Sequence, residues 1–162
     1  MTRPQDLMAA VKRNDEAAVA ALIKQGVSLD APDGGGDYPL IMAAYKGHTQ
    51  ITKMLLEAGA SVAVLDPGMK ATALHAAAYA GHAEPSRLLI QFGVDIDKQG
   101  PNNGYTALHD SIWQNNIDVA KVIIDAGARL DLESHEGETP LEMARKRKRR
   151  EIAAMIEAKL GR

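Results

Sequence analysis

The chain has 162 residues, a formal net charge of −2 and no cysteine. Its length allows the core of one domain, and the lack of cysteine excludes a disulfide framework, a thiolate metal site and a cysteine nucleophile. Apolar residues make up 46% of the chain but aromatic residues only 4%, so aliphatic side chains and methionine must build the core. The N-terminal residues lack a secretory signal and no stretch has the ~18–20 apolar residues of a membrane span, which predicts a soluble cytoplasmic protein.

One spacing recurs along the whole chain. Five leucines occupy equivalent places in similar short segments, at steps of 33, 34, 34 and 33 residues: Leu7, Leu40, Leu74, Leu108 and Leu141. A period of this length is typical of a solenoid built from one repeated unit. The sequence therefore predicts a single repeat domain with five copies: 1–32, 33–66, 67–100, 101–133 and 134–162.

A short first helix is predicted around each of these leucines. Thr139 offers a capping hydroxyl, and Pro140 after it suits the first turn of a helix. Thr72 and Thr106 offer the same cap. Seven residues after each leucine, four repeats have a residue that tolerates a left-handed helix end: Asn14, Gly47, Gly81 and Asn115. Lys148 is expected to break this pattern in the last repeat.

A second helix follows in each repeat, with apolar residues at positions i, i+3 and i+4, as in Ile51, Met54 and Leu55. Glycines end four of these helices: Gly26, Gly59, Gly93 and Gly127. The next residues mix alternating apolar positions with Gly, Pro, Asn and Asp, which predicts hairpin-like turns. The position that faces the next repeat is apolar in four copies but is Glu157 in the fifth, so the fifth copy is expected to be a C-terminal cap. The first copy is atypical and is expected to be the N-terminal cap.

Helix, turn, helix and hairpin-like loop at this period resemble the ankyrin repeat. The resemblance is carried by "TALH" at 72–75 and 106–109, "TPL" at 139–141, "GH" at 47–48 and 81–82, and the "AGAS" and "AGAR" segments after two second helices. Departures include Tyr38 for the threonine and Lys70 for a turn glycine. The resemblance implies an all-α solenoid whose helix pairs are joined by β-hairpin-like loops. It also implies that His75 and His109 brace neighbouring hairpins and that partners bind a concave face of loops and first helices.

The sequence offers little support for catalysis. The "GGG" at 34–36 precedes Asp37 rather than Lys-Ser or Lys-Thr, which indicates a turn rather than a phosphate loop. There is no histidine pair at i, i+4 spacing for zinc and no nucleophile-elbow motif. We therefore expect no enzyme activity, no metal and no cofactor.

Cationic residues form an uninterrupted run in the last repeat: Arg145, Lys146, Arg147, Lys148, Arg149 and Arg150. Residues 134–162 carry a balance of +3 and the remaining residues a balance of −5. Such a run can contact nucleic acid, an acidic partner or an import receptor. The alternative, which we favour, is a solvated turn between two helices, where cations also suit the end of the first helix. No nucleic-acid-binding signature accompanies the run.

One position after each repeat leucine attracts aromatic residues. Five residues past the leucine lie Lys12, Tyr45, Tyr79, Trp113 and Lys146, so three of the six aromatic residues share this place. Packed helices stand ~10 Å apart, which predicts an aromatic ladder of about 20 Å. Aromatic residues often supply the binding energy of interfaces. The candidate partner-binding residues are Tyr45, Lys46, Met69, Tyr79, Tyr105, Asp110, Trp113 and Gln114.

Two questions about this face stay open at the level of sequence. The aromatic residues can bind a partner or simply cover the Ala-rich first helices. Asp110 replaces a position that is usually apolar, and it is either a buried polar group paired with a neighbour or a determinant of specificity. Asp37 and Glu138 are further candidates on the loop side.

The sequence therefore predicts a monomeric, non-enzymatic scaffold that holds a protein partner, whose identity the residues do not reveal. One alternative is a regulator that contacts nucleic acid or an import receptor through residues 145–150. Another is an engineered scaffold with no natural partner, although irregular positions such as Pro85 and Ser111 argue against a consensus design.

Overall fold

The computed structural model describes residues 3–162, which form ten helices and no β-strand. The helices come in five antiparallel pairs, one for each repeat of the sequence, so the all-α solenoid is confirmed. The helices are α1 (Pro4–Lys12), α2 (Glu16–Lys24), α3 (Pro39–Lys46), α4 (Thr49–Glu57), α5 (Ala73–Ala80), α6 (Ala83–Gln91), α7 (Ala107–Trp113), α8 (Ile117–Asp125), α9 (Pro140–Lys146) and α10 (Arg150–Leu160).

The pairs stack into two layers. The first helices of successive pairs contact one another in the order α1, α3, α5, α7 and α9, and the second helices do the same from α2 to α10. One hydrophobic cluster runs through all five pairs, and each repeat leucine is buried in it. Burial of a leucine side chain contributes about 1.5–3 kcal/mol, so the 33- to 34-residue period of the sequence is the period of the core. No helix of residues 3–162 is long and apolar enough to cross a membrane.

The predicted threonine caps begin the first helices of the last three repeats. The hydroxyls of Thr72, Thr106 and Thr139 each accept a hydrogen bond from the backbone N–H three residues later, at 3.3–3.4 Å. Tyr38 takes this place before α3 and makes no side-chain cap, but Pro39 at the first helical position presets the backbone.

Left-handed residues end the first helices, as predicted, but the expected exception at Lys148 is wrong. Asn14, Gly47, Gly81 and Asn115 have φ between 57° and 88°, and Lys148 has φ of 58°. The N–H of Lys148 donates to Arg145 O at 3.1 Å and the next N–H donates to Ala144 O at 2.8 Å. These two bonds satisfy helix-end carbonyls and hold a lysine in a conformation that costs about 1–2 kcal/mol for a residue with a Cβ.

The loops between pairs are each closed by two backbone hydrogen bonds at their tips, such as Asp66 N to Ala71 O at 2.9 Å and Lys70 N to Asp66 O at 3.1 Å. The left-handed place in these turns is glycine in the other loops but Lys70, with φ of 53°, before α5. The carboxylate of Asp66 accepts bonds from the N–H groups of Gly68, Met69 and Ala71 and so fixes this turn. The turn therefore keeps its shape without the glycine.

We expect Lys70→Gly to stabilise the chain by about 0.5–1 kcal/mol. The change relieves the left-handed strain, and part of this gain is offset by the greater freedom of glycine in the unfolded chain. Thermal unfolding would show a midpoint a few degrees higher. Lys53→Gly in α4 is the matched control, and it should lower the midpoint because glycine weakens a helix interior. A lower midpoint for Lys70→Gly would contradict the assignment of strain to this turn.

Polar groups appear where the stack ends. Ile23, Leu56, Ile90 and Ile124 are buried or partly buried at the position that faces the next pair. Glu157 in α10 takes the equivalent position in the last pair, and its carboxylate forms an ion pair with Arg145 at 3.2 Å. This face of the last pair is therefore suited to water.

Candidate functional site

A groove with a volume of about 560 Å³ opens beside the first helices of the second, third and fourth pairs. Its apolar lining comes from Ile41 and Met42 of α3 and Ala76 of α5. Tyr45 and Tyr79 lie one helical turn beyond Ile41 and His75, so the i, i+4 spacing brings all four side chains to the same side. The 33- to 34-residue repeat thus builds a continuous groove from equivalent positions of neighbouring helices.

Large apolar side chains remain open to solvent around this groove. Tyr45 is 51% exposed, Tyr79 48% and Met69, from the loop before α5, 50%. Such exposed groups form a patch of the kind that marks interaction sites. About half of each tyrosine ring does not pack on the Ala-rich first helices. This favours the interpretation that Tyr45 and Tyr79 bind a partner over the interpretation that they only cover the core.

The charged residues that line the groove are all carboxylates: Asp37, Asp66 and Asp110. The carboxylate of Asp66 already accepts the three backbone hydrogen bonds of the turn before α5. Among residues 3–162 the side chains of Asp37 and Asp110 have no hydrogen-bond or ion-pair partner, so the alternative of a neighbour paired with Asp110 is not seen. Burial raises the pKa of Asp110 to about 7, because its carboxylate is largely withdrawn from water.

Trp113 lies outside the groove although it is equivalent in sequence to Tyr45 and Tyr79. The guanidinium carbon of Arg147 stands 3.4 Å from the centre of its ring, and the ring of Tyr105 is 6.0 Å away. Tyr105 in turn stacks on His109 at 5.4 Å, and burial raises the pKa of the Tyr105 hydroxyl. Trp113 is 40% exposed, and the rest of it packs against its own chain.

The eight predicted partner-binding residues therefore divide into two groups. The structure brings Tyr45, Met69, Tyr79 and Asp110 into the groove. The other four do not line the groove: Lys46 at the end of α3, Trp113, and Gln114 after α7 are exposed, and Tyr105 is partly buried against the core.

Most of the basic run makes contacts within the chain. Arg145 pairs with Glu157, Lys146 lies 3.7 Å from Glu138, and Arg147 covers Trp113. Arg149 donates to Ile112 O at 3.0 Å and to Trp113 O at 2.8 Å. Lys148 and Arg150 make no such side-chain contact in the described part of the chain. The geometry thus favours the interpretation of this run as a helix connection.

The bonds from Arg149 belong to a recurring contact that the sequence reasoning missed. Asn116 holds the same place one repeat earlier, and its amide donates to Ala78 O at 2.8 Å and Tyr79 O at 3.1 Å. Each side chain satisfies carbonyls at the end of the first helix in the preceding pair. The signal was available, because His48, His82, Asn116 and Arg149 follow one another at the repeat spacing. These contacts fix the helix ends that carry Tyr79 and Trp113.

His75 and His109 brace neighbouring loops, as the resemblance implies. The N–H of the capping threonine donates to Nδ1 of each ring, at 3.2 Å for His75 and 3.1 Å for His109. The proton therefore sits on Nε2, which donates to Tyr105 O at 3.1 Å and Glu138 O at 3.0 Å respectively. Burial lowers the pKa of both rings, so they stay neutral. Within residues 3–162, no three His, Asp or Glu side chains are grouped as metal ligands.

Comparison with known families agrees with this architecture. Residues 64–134 match a family model described as ankyrin repeats (3 copies), and residues 7–56 match one described as ankyrin repeats (many copies). Together the two matches cover about three quarters of the chain. The comparison with curated proteins gave no match.

Proposed function

This chain belongs to the ankyrin repeat family, whose repeats are generally protein–protein interaction modules, and we propose that its groove binds a segment of a protein partner. The observation that carries the proposal is the group formed by Tyr45, Met69 and Tyr79. These three large side chains stand half-exposed around one preformed groove.

The side chains of the groove and its fixed backbone both favour tight binding. Tyrosine presents a large surface with few rotatable bonds, so little side-chain entropy is lost when it is covered. The capped helix ends and the histidine braces hold the groove in place before a partner arrives, which lowers the ordering cost of association. Lys46, Tyr105, Trp113 and Gln114 lie beyond the groove and can extend the contact along the stack.

The basic run is given no second function in this proposal. Four of its six side chains are already engaged with α7, α10 or the last loop. A ligand of residues 145–150 would have to displace those contacts.

The proposal is tested by a Tyr45→Ala, Tyr79→Ala double variant. We expect at least tenfold lower recovery of the partner when immobilised chain is exposed to native lysate and bound proteins are quantified by mass spectrometry. The rings are half-exposed and outside the core, so circular dichroism should show an unchanged helical signal.

Phe92→Ala is the matched control, since Phe92 is also an exposed aromatic residue (38%) but follows α6 on the other layer. Its partner recovery should equal that of the parent chain. Equal loss in both variants, or no loss in the double variant, would mean that the groove is not the binding face.

A further inference from the structure

We propose that the groove recognises a lysine or arginine side chain, flanked by apolar residues, in an extended segment of the partner. The inference rests on the proposed function and adds the chemistry of the bound segment. Two carboxylates that lack a partner within residues 3–162, Asp37 and Asp110, line a mainly apolar groove in which no lysine or arginine takes part.

Residues 3–162 do not supply a counter-ion to these carboxylates. Of the cations near this face, Lys12 lies 3.6 Å from Asp33, Lys146 pairs with Glu138 and Arg147 covers Trp113, and no cation of residues 3–162 forms an ion pair with Asp37 or Asp110. His75 lines the groove, but its ring is neutral because Nδ1 accepts from Thr72 and Nε2 donates to Tyr105 O. A carboxylate withdrawn from water without a cation or donor is unfavourable, and a bound cation removes that cost.

The aromatic residues of the groove suit the same ligand. Tyrosine ring faces attract an ammonium or guanidinium group, and Tyr45 and Tyr79 both line the groove. The aliphatic stem of lysine or arginine packs on apolar surface while its charge reaches a polar group. Ile41 and Met42 offer that surface, and Asp110 offers the charge. An acidic segment would instead meet three carboxylates.

Other occupants fit these features less well. A small free cation would leave Ile41, Met42 and Met69 uncovered. A second copy of this chain offers exposed lysines such as Lys53, but it presents them from a folded helix rather than from an extended segment. A protein segment with one cation between apolar side chains satisfies both the charge and the apolar lining.

The test is a selection with a displayed library of random twelve-residue peptides against the whole chain. We expect the bound peptides to be enriched in lysine or arginine next to aliphatic or aromatic residues. One enriched peptide is then synthesised with a fluorophore, and its affinity is measured by anisotropy. Asp110→Asn should weaken binding at least tenfold, whereas Asp118→Asn, the same change at an exposed site on α8, should leave binding unchanged.

A second measurement ties the effect to one pair of groups. Replacing the cation of the peptide by norleucine should weaken binding to the parent chain as much as Asp110→Asn does. The two changes together should cost less than the sum of the separate losses, because each removes the same interaction. Thermal melts of the Asp110→Asn variant would show that it stays folded.

Several outcomes overturn the inference. They are a selection without cationic peptides, an unaffected Asp110→Asn variant, N-acetylarginine amide binding as tightly as the peptide, and Asp110-dependent self-association in sedimentation. If the selected peptides lack a cation yet lose affinity with Tyr79→Ala, the inference fails and the proposed function stands. If no selected peptide depends on Tyr45 or Tyr79, the proposed function fails as well.

Discussion

The Asp110→Asn variant should melt at a higher temperature than the parent chain at pH 8, and this gain should vanish near pH 3.5. Burial raises the pKa of Asp110 from an ordinary 3.8 to about 7 in the folded chain. Above pH 7 both folded and unfolded chains hold the ionised group, and the folded chain bears the full cost of its burial. As pH falls from about 7 to 3.8, the folded chain takes up the proton first and becomes relatively more stable.

The size of the effect follows from the shift of the pKa. Each unit corresponds to about 1.4 kcal/mol, so the gain at pH 8 is at most about 4 kcal/mol. Asp110 lies in the first turn of α7, where a negative charge is favourable by roughly 0.3–1 kcal/mol, and the part of the side chain in contact with water lowers the gain further. A net gain of a few kcal/mol would raise the melting midpoint by several degrees.

The measurement is a series of thermal melts from pH 3.5 to pH 8 on parent and variant. Asp118→Asn at an exposed position of α8 is the matched control, and it should differ from the parent by less than about 0.5 kcal/mol throughout. A difference between Asp110→Asn and parent that does not change with pH would show that the charge of Asp110 is not what destabilises the chain.

Such a result would bear directly on the groove. A carboxylate that weakens the free chain and strengthens the complex has the properties of a residue that serves binding rather than folding. Loss of peptide affinity together with a gain in melting temperature separates the two roles, because damage to the fold would lower both. The other carboxylate without a partner in residues 3–162, Asp37, lies in a loop beside α3 and offers an independent comparison.

The fold was predictable from the sequence because its rules are local and repeated. One buried leucine, one threonine cap and one left-handed helix end recur in several copies, so each copy supports the interpretation of the others. The prediction that Lys148 breaks the pattern of left-handed helix ends is wrong, because residue type alone does not determine backbone conformation. Two hydrogen bonds at the end of α9 compensate for the lysine.

The site was less predictable because it depends on contacts between repeats. Tyr79 and Trp113 are equivalent in sequence, but only Trp113 has an arginine from the next repeat over its ring. Arg149 reaches carbonyls 36 and 37 residues earlier in the chain, and the only sequence signal for that bond is the position of Arg149 at the repeat spacing from Asn116. The carboxylate lining of the groove likewise collects Asp37 and Asp66 from the second repeat and Asp110 from the fourth.

His109→Ala should destabilise the chain by roughly 2–4 kcal/mol. The ring is fully buried, and its removal leaves a cavity and an unpaired N–H at Thr106, while the carbonyl of Glu138 keeps only the bond from Ser134 N–H. Urea unfolding measures the loss. Trp113, the one tryptophan of the chain, should also report it before unfolding, because Tyr105 lies between the two rings and loses its stacking partner.

His135→Ala is the control, because His135 is exposed in the next loop and its side chain makes no hydrogen bond among residues 3–162. It should change stability by less than about 0.5 kcal/mol. A similar loss in both variants would mean that histidine in this loop region matters only for packing and that the bond to Glu138 is not a brace.

The same histidine also sets the response to acid. Burial lowers the pKa of His109 and His75 below the ordinary value of 6.5, so the unfolded chain takes up these protons first and stability falls as pH drops below about 6.5. His109→Ala should flatten that fall. Asp110 acts in the opposite direction over the same range, since its folded form gains a proton between pH 7 and 3.8. The acid loss of the Asp110→Asn variant should therefore be steeper than that of the parent, because the carboxylate no longer offsets the two braced histidines.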